Sequence, residues 1–264
     1  MRKSASALTL AAVVLSVSPS FASMSMPSPT PPAISGTAAK AGGTIFDASV
    51  PATVANTTLI NSLGKKFSLA DYKGKYIVLT DFFTSCDMIC PMTSVNMRDI
   101  GDAVKSSKIK NQAVVLEVSI DPARDTVARI KAYQSLFGDS SWTIATGDPK
   151  SLSTFWGWFG VFSKAEKNVD GSAPDWQTGK PVTYDVLHDD VVIIIDPKGH
   201  WRWLELGNPS VSNPTTLPTT LKRYLSTLGR LNLIHPQEPS WSVSAVYGAF
   251  HEIFNISLGS NVKK

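Results

Sequence analysis

Tyr76-Ile77-Val78-Leu79-Thr80-Asp81-Phe82-Phe83-Thr84-Ser85-Cys86-Asp87-Met88-Ile89-Cys90-Pro91 joins a near-continuous apolar run to the only two cysteines of the 264-residue chain, set four apart. A run of strand length without polar alternation is what a strand covered on both faces requires, and such strands belong to parallel or mixed sheets. After Pro91 the period changes. Met92, Val95, Met97, Ile100 and Val104 recur at helical spacing over residues 92–107, so the cysteine segment falls at or inside the first turns of an amphipathic helix.

Downstream, residues 112–120 read as a second buried strand that ends in the acidic turn Asp121-Pro122-Ala123-Arg124-Asp125-Thr126. A helix over 126–137 follows, with Ile130, Tyr133 and Leu136 on one face, and Asp121 and Asp125 are expected to cap it. Residues 142–146 form a short strand and 149–162 a helix whose Phe155, Trp156, Trp158 and Phe159 read as core packing. The polar stretch 168–180, with two glycines and Pro174, reads as a surface loop. Residues 191–195 are the most β-prone run, and Asp196-Pro197-Lys198-Gly199 turns the chain back into 200–206 as a hairpin. A helix over 215–228, carrying Leu217, Leu221, Tyr224, Leu225 and Leu228, closes the pattern. This order, βαβα, a helix-bearing connection, a β-hairpin and a last helix, is the thioredoxin-like plan: an α/β fold with a central mixed sheet flanked by helices.

Upstream, residues 44–49 and 54–61 read as short strands or a hairpin, an N-terminal hairpin extension to the domain. Residues 1–22 read as a secretory signal: Arg2 and Lys3, an apolar segment over 7–17 and a small-x-small site at Ser20-Phe21-Ala22. The apolar segment is shorter than the roughly 20 residues a membrane span needs. Cleavage after Ala22, without a nearby cysteine to lipidate, places the mature chain in the periplasm, where membrane contact comes only through a partner or an uncleaved leader. Residues 23–43 are rich in Pro, Ser, Thr, Gly and Ala and read as a disordered linker. Met24 and Met26 there read as remnants beside a processing site rather than thioether copper ligands. Residues 44–229 then make the domain. The extension 230–264 is too apolar for disorder, and a packed helix over 242–256 and a partner-docking segment both stay open. The net charge is +4, of which Arg2 and Lys3 supply two, and there is no basic run of the kind nucleic acid demands.

Within a helix, Cys86 and Cys90 lie one turn apart, with Cα atoms ~6 Å from each other. That lies within reach of a disulfide, so dithiol, disulfide and chelate are all accessible. Export favours oxidation of a cysteine pair unless something reduces or metallates it. A purely structural bridge would close too short a loop to constrain the unfolded chain strongly. A helix N-terminus is expected to lower both thiol pKa values, and thiolates are the form that attacks disulfides and binds metal. Two thiolates suit Cu(I), Zn(II) or an iron–sulfur cluster, and one added imidazole makes a three-coordinate site suited to copper as Cu(I) or Cu(II).

Three features together are distinctive: Cys86-x-x-x-Cys90-Pro91 after a buried strand; Ser119-Ile120-Asp121-Pro122-x-Arg124-Asp125-Thr126; and His188 just before a strand that ends Asp196-Pro197-x-Gly199. Over about residues 60–228 the chain resembles the Sco/SenC family of copper-binding assembly proteins. The resemblance implies one copper ion bound by Cys86, Cys90 and His188. It also implies a role in building the dinuclear copper centre, CuA, of cytochrome c oxidase. The implied partners are the oxidase subunit carrying that centre and a further copper chaperone or thioredoxin-like reductant. Two positions depart from the family pattern: Asp87 stands where a proline is usual, and Leu187 where a carboxylate usually precedes the histidine, leaving Asp189 or Asp190 to stand in. His200 is the reserve ligand, His235 and His251 are non-ligands, and Met88, Met92 and Met97 read as core filling. On this reading the protein is a metallochaperone without turnover. The same sulfurs also serve the alternative, a thiol–disulfide oxidoreductase that reduces an acceptor's cysteines with Cys86 as attacking thiolate. A thiol peroxidase is disfavoured because the cysteine segment shows no hydroxyl-and-arginine setting.

Overall fold

The computed structural model describes Pro32 and residues 35–138, 141–167 and 174–259; the signal read at 1–22, with Met24 and Met26, lies outside them. The described chain enters through β1 (Thr37–Ala38) and β2 (Thr44–Ser49), a single helical turn α1 (Ala52–Ala55), and the short strands β3 (Leu59–Asn61) and β4 (Lys66–Phe67). The apolar run becomes β5 (Tyr76–Phe82), followed by α2 (Cys90–Lys105), β6 (Ala113–Ser119), α3 (Val127–Ser135), β7 (Thr143–Gly147) and α4 (Pro149–Trp158). A two-stranded arm of β8 (Ser163–Lys167) and β9 (Tyr184–His188) leads into the hairpin β10 (Val191–Ile195) and β11 (His200–Leu206). The short strand β12 (Asn208–Ser210), α5 (Thr219–Tyr224), α6 (Thr227–Ile234), β13 (Ser240–Ser242) and α7 (Val243–Phe254) complete it.

Among the described residues, nine strands make one sheet in the order β1-β2-β11-β10-β5-β6-β7-β3-β4. β5, β6 and β7 are parallel and β10 runs antiparallel to β5, so the sheet is mixed. β10 shows why its sequence is apolar throughout. Val192 and Ile194 enter the core cluster shared with α2, α3 and α7, whereas Val191, Ile193 and Ile195 enter the opposite cluster with α1 and α4. Side chains alternate across a strand, so covering both faces demands an apolar residue at every position. Each such fully buried aliphatic side chain contributes ~1.5–3 kcal/mol. Helices on both faces of a mixed sheet give the thioredoxin-like architecture that the element order predicts, and the aromatics of α4 pack in the core as expected.

Three features differ from the sequence expectation. The segments 44–49 and 54–61 do not pair with each other: β2 lies beside β11 and β3 beside β7, at opposite ends of the sheet. Pro51, at the cap of α1, turns the chain away between them. The N-terminal hairpin is instead β1 with β2, using residues read as linker, and Gly42 and Gly43 supply the left-handed backbone (φ 109° and 74°) of its turn. The helix over 215–228 is broken. Leu225 is extended (φ −51°, ψ 132°), and Ser226 then caps α6 by accepting from the Gly229 amide. The polar stretch 168–180 is a loop in its described part, as read, and it is tethered: Asp175 pairs with Arg129 of α3, and the Trp176 indole donates to the Thr84 carbonyl of the cysteine segment. The extension, open between two readings, packs on its own chain: Val246, Ala249 and Phe250 of α7 are fully buried in the cluster that holds both cysteines, and β13 pairs with β12.

Candidate metal centre

β5 delivers the chain to the cysteine loop, and tertiary bonds fix that loop. Asp125 accepts from the amide and the hydroxyl of Thr84 and from the hydroxyl of Ser119. The loop's carbonyls are taken in turn: Thr84 O by the Trp176 indole (2.8 Å), Ser85 O by the Tyr224 hydroxyl (2.7 Å) and Asp87 O by the Ser226 amide (2.9 Å). Buried backbone groups so matched leave the loop no competing arrangement. The turn after β6 does the same for the histidine strand. Arg124 pairs with Asp121, donates to Tyr184 O (2.7 Å) and lies 3.8 Å from the Tyr184 ring centroid, while the Tyr184 hydroxyl donates to Asp121 (2.8 Å). The Asp-Pro-x-Arg-Asp-Thr signature therefore staples the cysteine loop to β9. Neither Asp121 nor Asp125 caps α3, as the spacing suggested; Thr126 does, accepting from the Arg129 amide.

α2 begins at Cys90, so Cys86 precedes the helix instead of lying one turn along it. Pro91 fits the first turn because its missing N–H has no partner there. The free amides of Ile89 and Cys90 point at Cys86 Sγ, each at 3.4 Å. Both thiols are free and buried. Burial opposes ionisation of Cys86, but the Cys90 thiol, the His188 ring and the Cys90 amide outweigh it and hold Cys86 well below the usual thiol range. Cys90 moves the other way: burial, the hydrogen bond it gives Cys86 and the charge on Cys86 push it well up. The expectation that both thiols are lowered fails because only one sulfur can occupy the amide cradle. Burial also pushes Asp87, where the family's proline is usual, up to about 6, with Cys86 and Asp185 adding repulsion.

His188 ends β9 and comes against the sulfurs from across the fold. One ring nitrogen and the Sγ atoms of Cys86 and Cys90 all lie within 4.8 Å of one another. Nδ1 contacts Asp81 Oδ2 (2.8 Å) and the carbonyl of Asp189 (3.0 Å). A carbonyl only accepts, so Nδ1 carries the hydrogen and Nε2 is the nitrogen left for an ion. The side chain is 5% exposed. Burial disfavours its charged form, yet the bonds to Asp81 and Cys86 hold its pKa well above the usual histidine range. The carboxylate missing at Leu187 is thus supplied by Asp81, 107 residues earlier, not by the side chain of Asp189 or Asp190. Asp81 anchors on both sides, its Oδ1 accepting from the Val191 amide (3.1 Å). A signal for it was present: an aspartate inside a buried apolar strand has to find a polar partner.

His200 lies elsewhere, bonded to Asp47 at the β2–β11 edge, and does not join the centre. Met92 and Met97 are fully buried core residues. A hydroxyl-and-arginine pair does stand beside the loop, contrary to expectation: Arg129 of α3 donates to the hydroxyls of Thr84 and Ser85 while pairing with Asp175. It was invisible in the cysteine segment because α3 brings it from 44 residues away.

The thioredoxin-like domain sets two free cysteines at the head of its first long helix and lays a histidine against them. Residues 48–226, more than half of the chain, match the SCO1/SenC family model, and the chain belongs to that family. It is 32% identical over 97 residues to the SCO1 protein homolog of Bacillus subtilis, covering 36% of this chain and 49% of that protein. It is 26% identical over 144 residues to a protein of Stutzerimonas stutzeri named as copper-binding, covering 54% of this chain and 64% of that protein. The chain thus spans about half to just under two thirds of these curated relatives. Among solved structures, copper-bound ScoI of Bradyrhizobium japonicum is similar at a TM-score of 0.48 and 25% identity, over 64% of this chain and 97% of that one.

Proposed function

We propose that this protein binds one copper ion through Cys86, Cys90 and His188 and delivers it to the CuA site of cytochrome c oxidase outside the cytoplasm. The observation that carries the reading is the convergence of two sulfurs and one imidazole nitrogen within 4.8 Å. Two thiolates and an imidazole are a soft, low-coordinate set that suits copper, and membership of the family and the copper-binding name of the Stutzerimonas relative support the same ion. Copper is cargo here. The buried loop keeps water from the sulfurs, and Asp81 fixes the His188 ring through Nδ1, leaving Nε2, once it gives up its proton, to the ion. A three-donor site leaves room for an incoming thiolate or imidazole of the acceptor, so ligands exchange one at a time. The oxidase subunit carrying CuA is the acceptor, with a further copper chaperone or a thioredoxin-like reductant upstream. A leader at residues 1–22 fits a periplasmic site of action, and among the described residues no helix is long and apolar enough to cross a membrane.

The opposite pKa directions of the two thiols favour a second reading, a thiol–disulfide reductase. The Cys86 thiolate attacks an acceptor disulfide, forming a mixed disulfide and releasing one acceptor thiolate. Cys90, once deprotonated, then attacks Cys86 Sγ, releasing the second acceptor thiolate and leaving a Cys86–Cys90 disulfide, two electrons having passed to the acceptor. His188 separates the readings. In a chelator-competition titration of the reduced protein with Cu(I), His188→Ala is expected to lower affinity at least about tenfold, as loss of a ligand or its support does. Equal affinity and stoichiometry in the two proteins would sink the three-donor site and leave the reductase.

A further inference from the structure

Asp190 lies two residues past His188, buried, and neither of its carboxyl oxygens has a hydrogen-bond partner. A buried carboxyl group with both oxygens unmatched is costly and calls for a reason, of which a bound ion is one. One of its oxygens lies within 4.8 Å of a ring nitrogen of His188 and an oxygen of Asp81. Asp81 is already committed, to His188 Nδ1 through one oxygen and to the Val191 amide through the other. Asp190 is not. It has the strand parity of Val192 and Ile194, which enter the core cluster containing Cys86 and Cys90, whereas Asp81 has the parity of Ile77 and Leu79 on the other face. Asp190, just ahead of β10, continues the alternation toward the sulfur-bearing face, and His188 is common to the sulfur set and the carboxylate set.

We propose that Asp190 supplies a carboxylate oxygen as a fourth donor to the copper held by Cys86, Cys90 and His188, and that the divalent ion is the one that uses it. The inference rests on the three-donor reading above and deepens it. Cu(I) is satisfied by two thiolates and an imidazole, whereas Cu(II) favours a tetragonal set that includes nitrogen and oxygen. Asp190 then sets the balance between the two oxidation states, and a neutral residue in its place penalises Cu(II) selectively.

The test compares wild type, Asp190→Asn and His188→Ala, each loaded with one copper, by the electron paramagnetic resonance of the Cu(II) form, the reduction potential of the bound ion and competition titration with Cu(I). Asp190→Asn is expected to alter the Cu(II) spectrum and to leave Cu(I) affinity within about threefold. It is expected to weaken Cu(II) at least about tenfold, which raises the potential by about 59 mV. An unchanged spectrum and potential in Asp190→Asn, with copper binding still lost in His188→Ala, overturns the fourth donor alone. Unchanged binding in His188→Ala overturns the three-donor reading beneath it. X-ray absorption of Cu(II)-loaded wild type needs no variant: two sulfur and two light-atom neighbours are expected, and a single light atom overturns the proposal. So does a strong oxygen-17 coupling in labelled water, which assigns the fourth place to solvent.

Discussion

Asp81 sits fully buried in a mostly apolar strand, and its two oxygens hold two different elements, the end of β9 and the start of β10. Groups that orient a metal-binding imidazole matter by about 10- to 100-fold in affinity. Asp81→Asn keeps an oxygen for the Val191 amide but weakens the bond to His188. It is expected to lower copper affinity by that factor in a competition titration, with the far-ultraviolet circular dichroism of wild type; affinity within about threefold of wild type removes Asp81 from this role. At this scale the sequence disclosed the cysteines through their spacing and His188 through its context. It did not disclose Asp81 as the histidine's partner, because the two are 107 residues apart and meet only through the β5–β10 pairing. Nor did it disclose the unequal thiols, since that depends on which sulfur the Ile89 and Cys90 amides face.

The cysteine loop is held as an element by neighbours that contribute no donor atom to the candidate centre. α6 is an example. A Cβ built at Gly229 would lie 2.3 Å from the Asp87 carbonyl oxygen and 3.0 Å from Met88 Cα, so the start of α6 rests on the loop's backbone. Gly229→Ala must push helix and loop apart. It is expected to cost about 1–3 kcal/mol in denaturant unfolding, the usual range for overpacking, and to weaken copper binding. A variant with wild-type stability and copper affinity shows that α6 does not position the loop. The periodicity of 215–228 could not reveal this contact. Leu221 and Leu225 face the core whether or not the helix continues, and what breaks it is the Ser226 amide bonding to Asp87, a tertiary choice. The same holds for Trp176, whose indole reaches Thr84 from a stretch that composition alone marks as loop.

For the whole molecule, the sheet was the most legible part, since β5, β6 and β10 are buried on both faces and their sequences say so. The edges were not: the two-residue strands β1 and β4 carry too little pattern, and pairing partners decide them. The interior also holds a titrating group unconnected with the sulfurs. Glu117 on β6 accepts from Ser94 (3.2 Å) and from the Trp142 indole (2.9 Å), and burial pushes it up to about 8 against those bonds. An acid raised in the folded state stabilises fully below its unfolded value, about 4.5, and that stability is lost as pH rises toward about 8. Thermal unfolding is therefore expected to show a decline over that window that Glu117→Gln flattens; an identical profile in the variant contradicts the assignment. The central claim, that Cys86, Cys90 and His188 hold the metal together, is tested most directly by X-ray absorption of the reduced wild-type protein carrying one equivalent of Cu(I). The predicted first shell is two sulfurs and one imidazole nitrogen, and a shell of two sulfurs alone, or one containing a single sulfur, contradicts it.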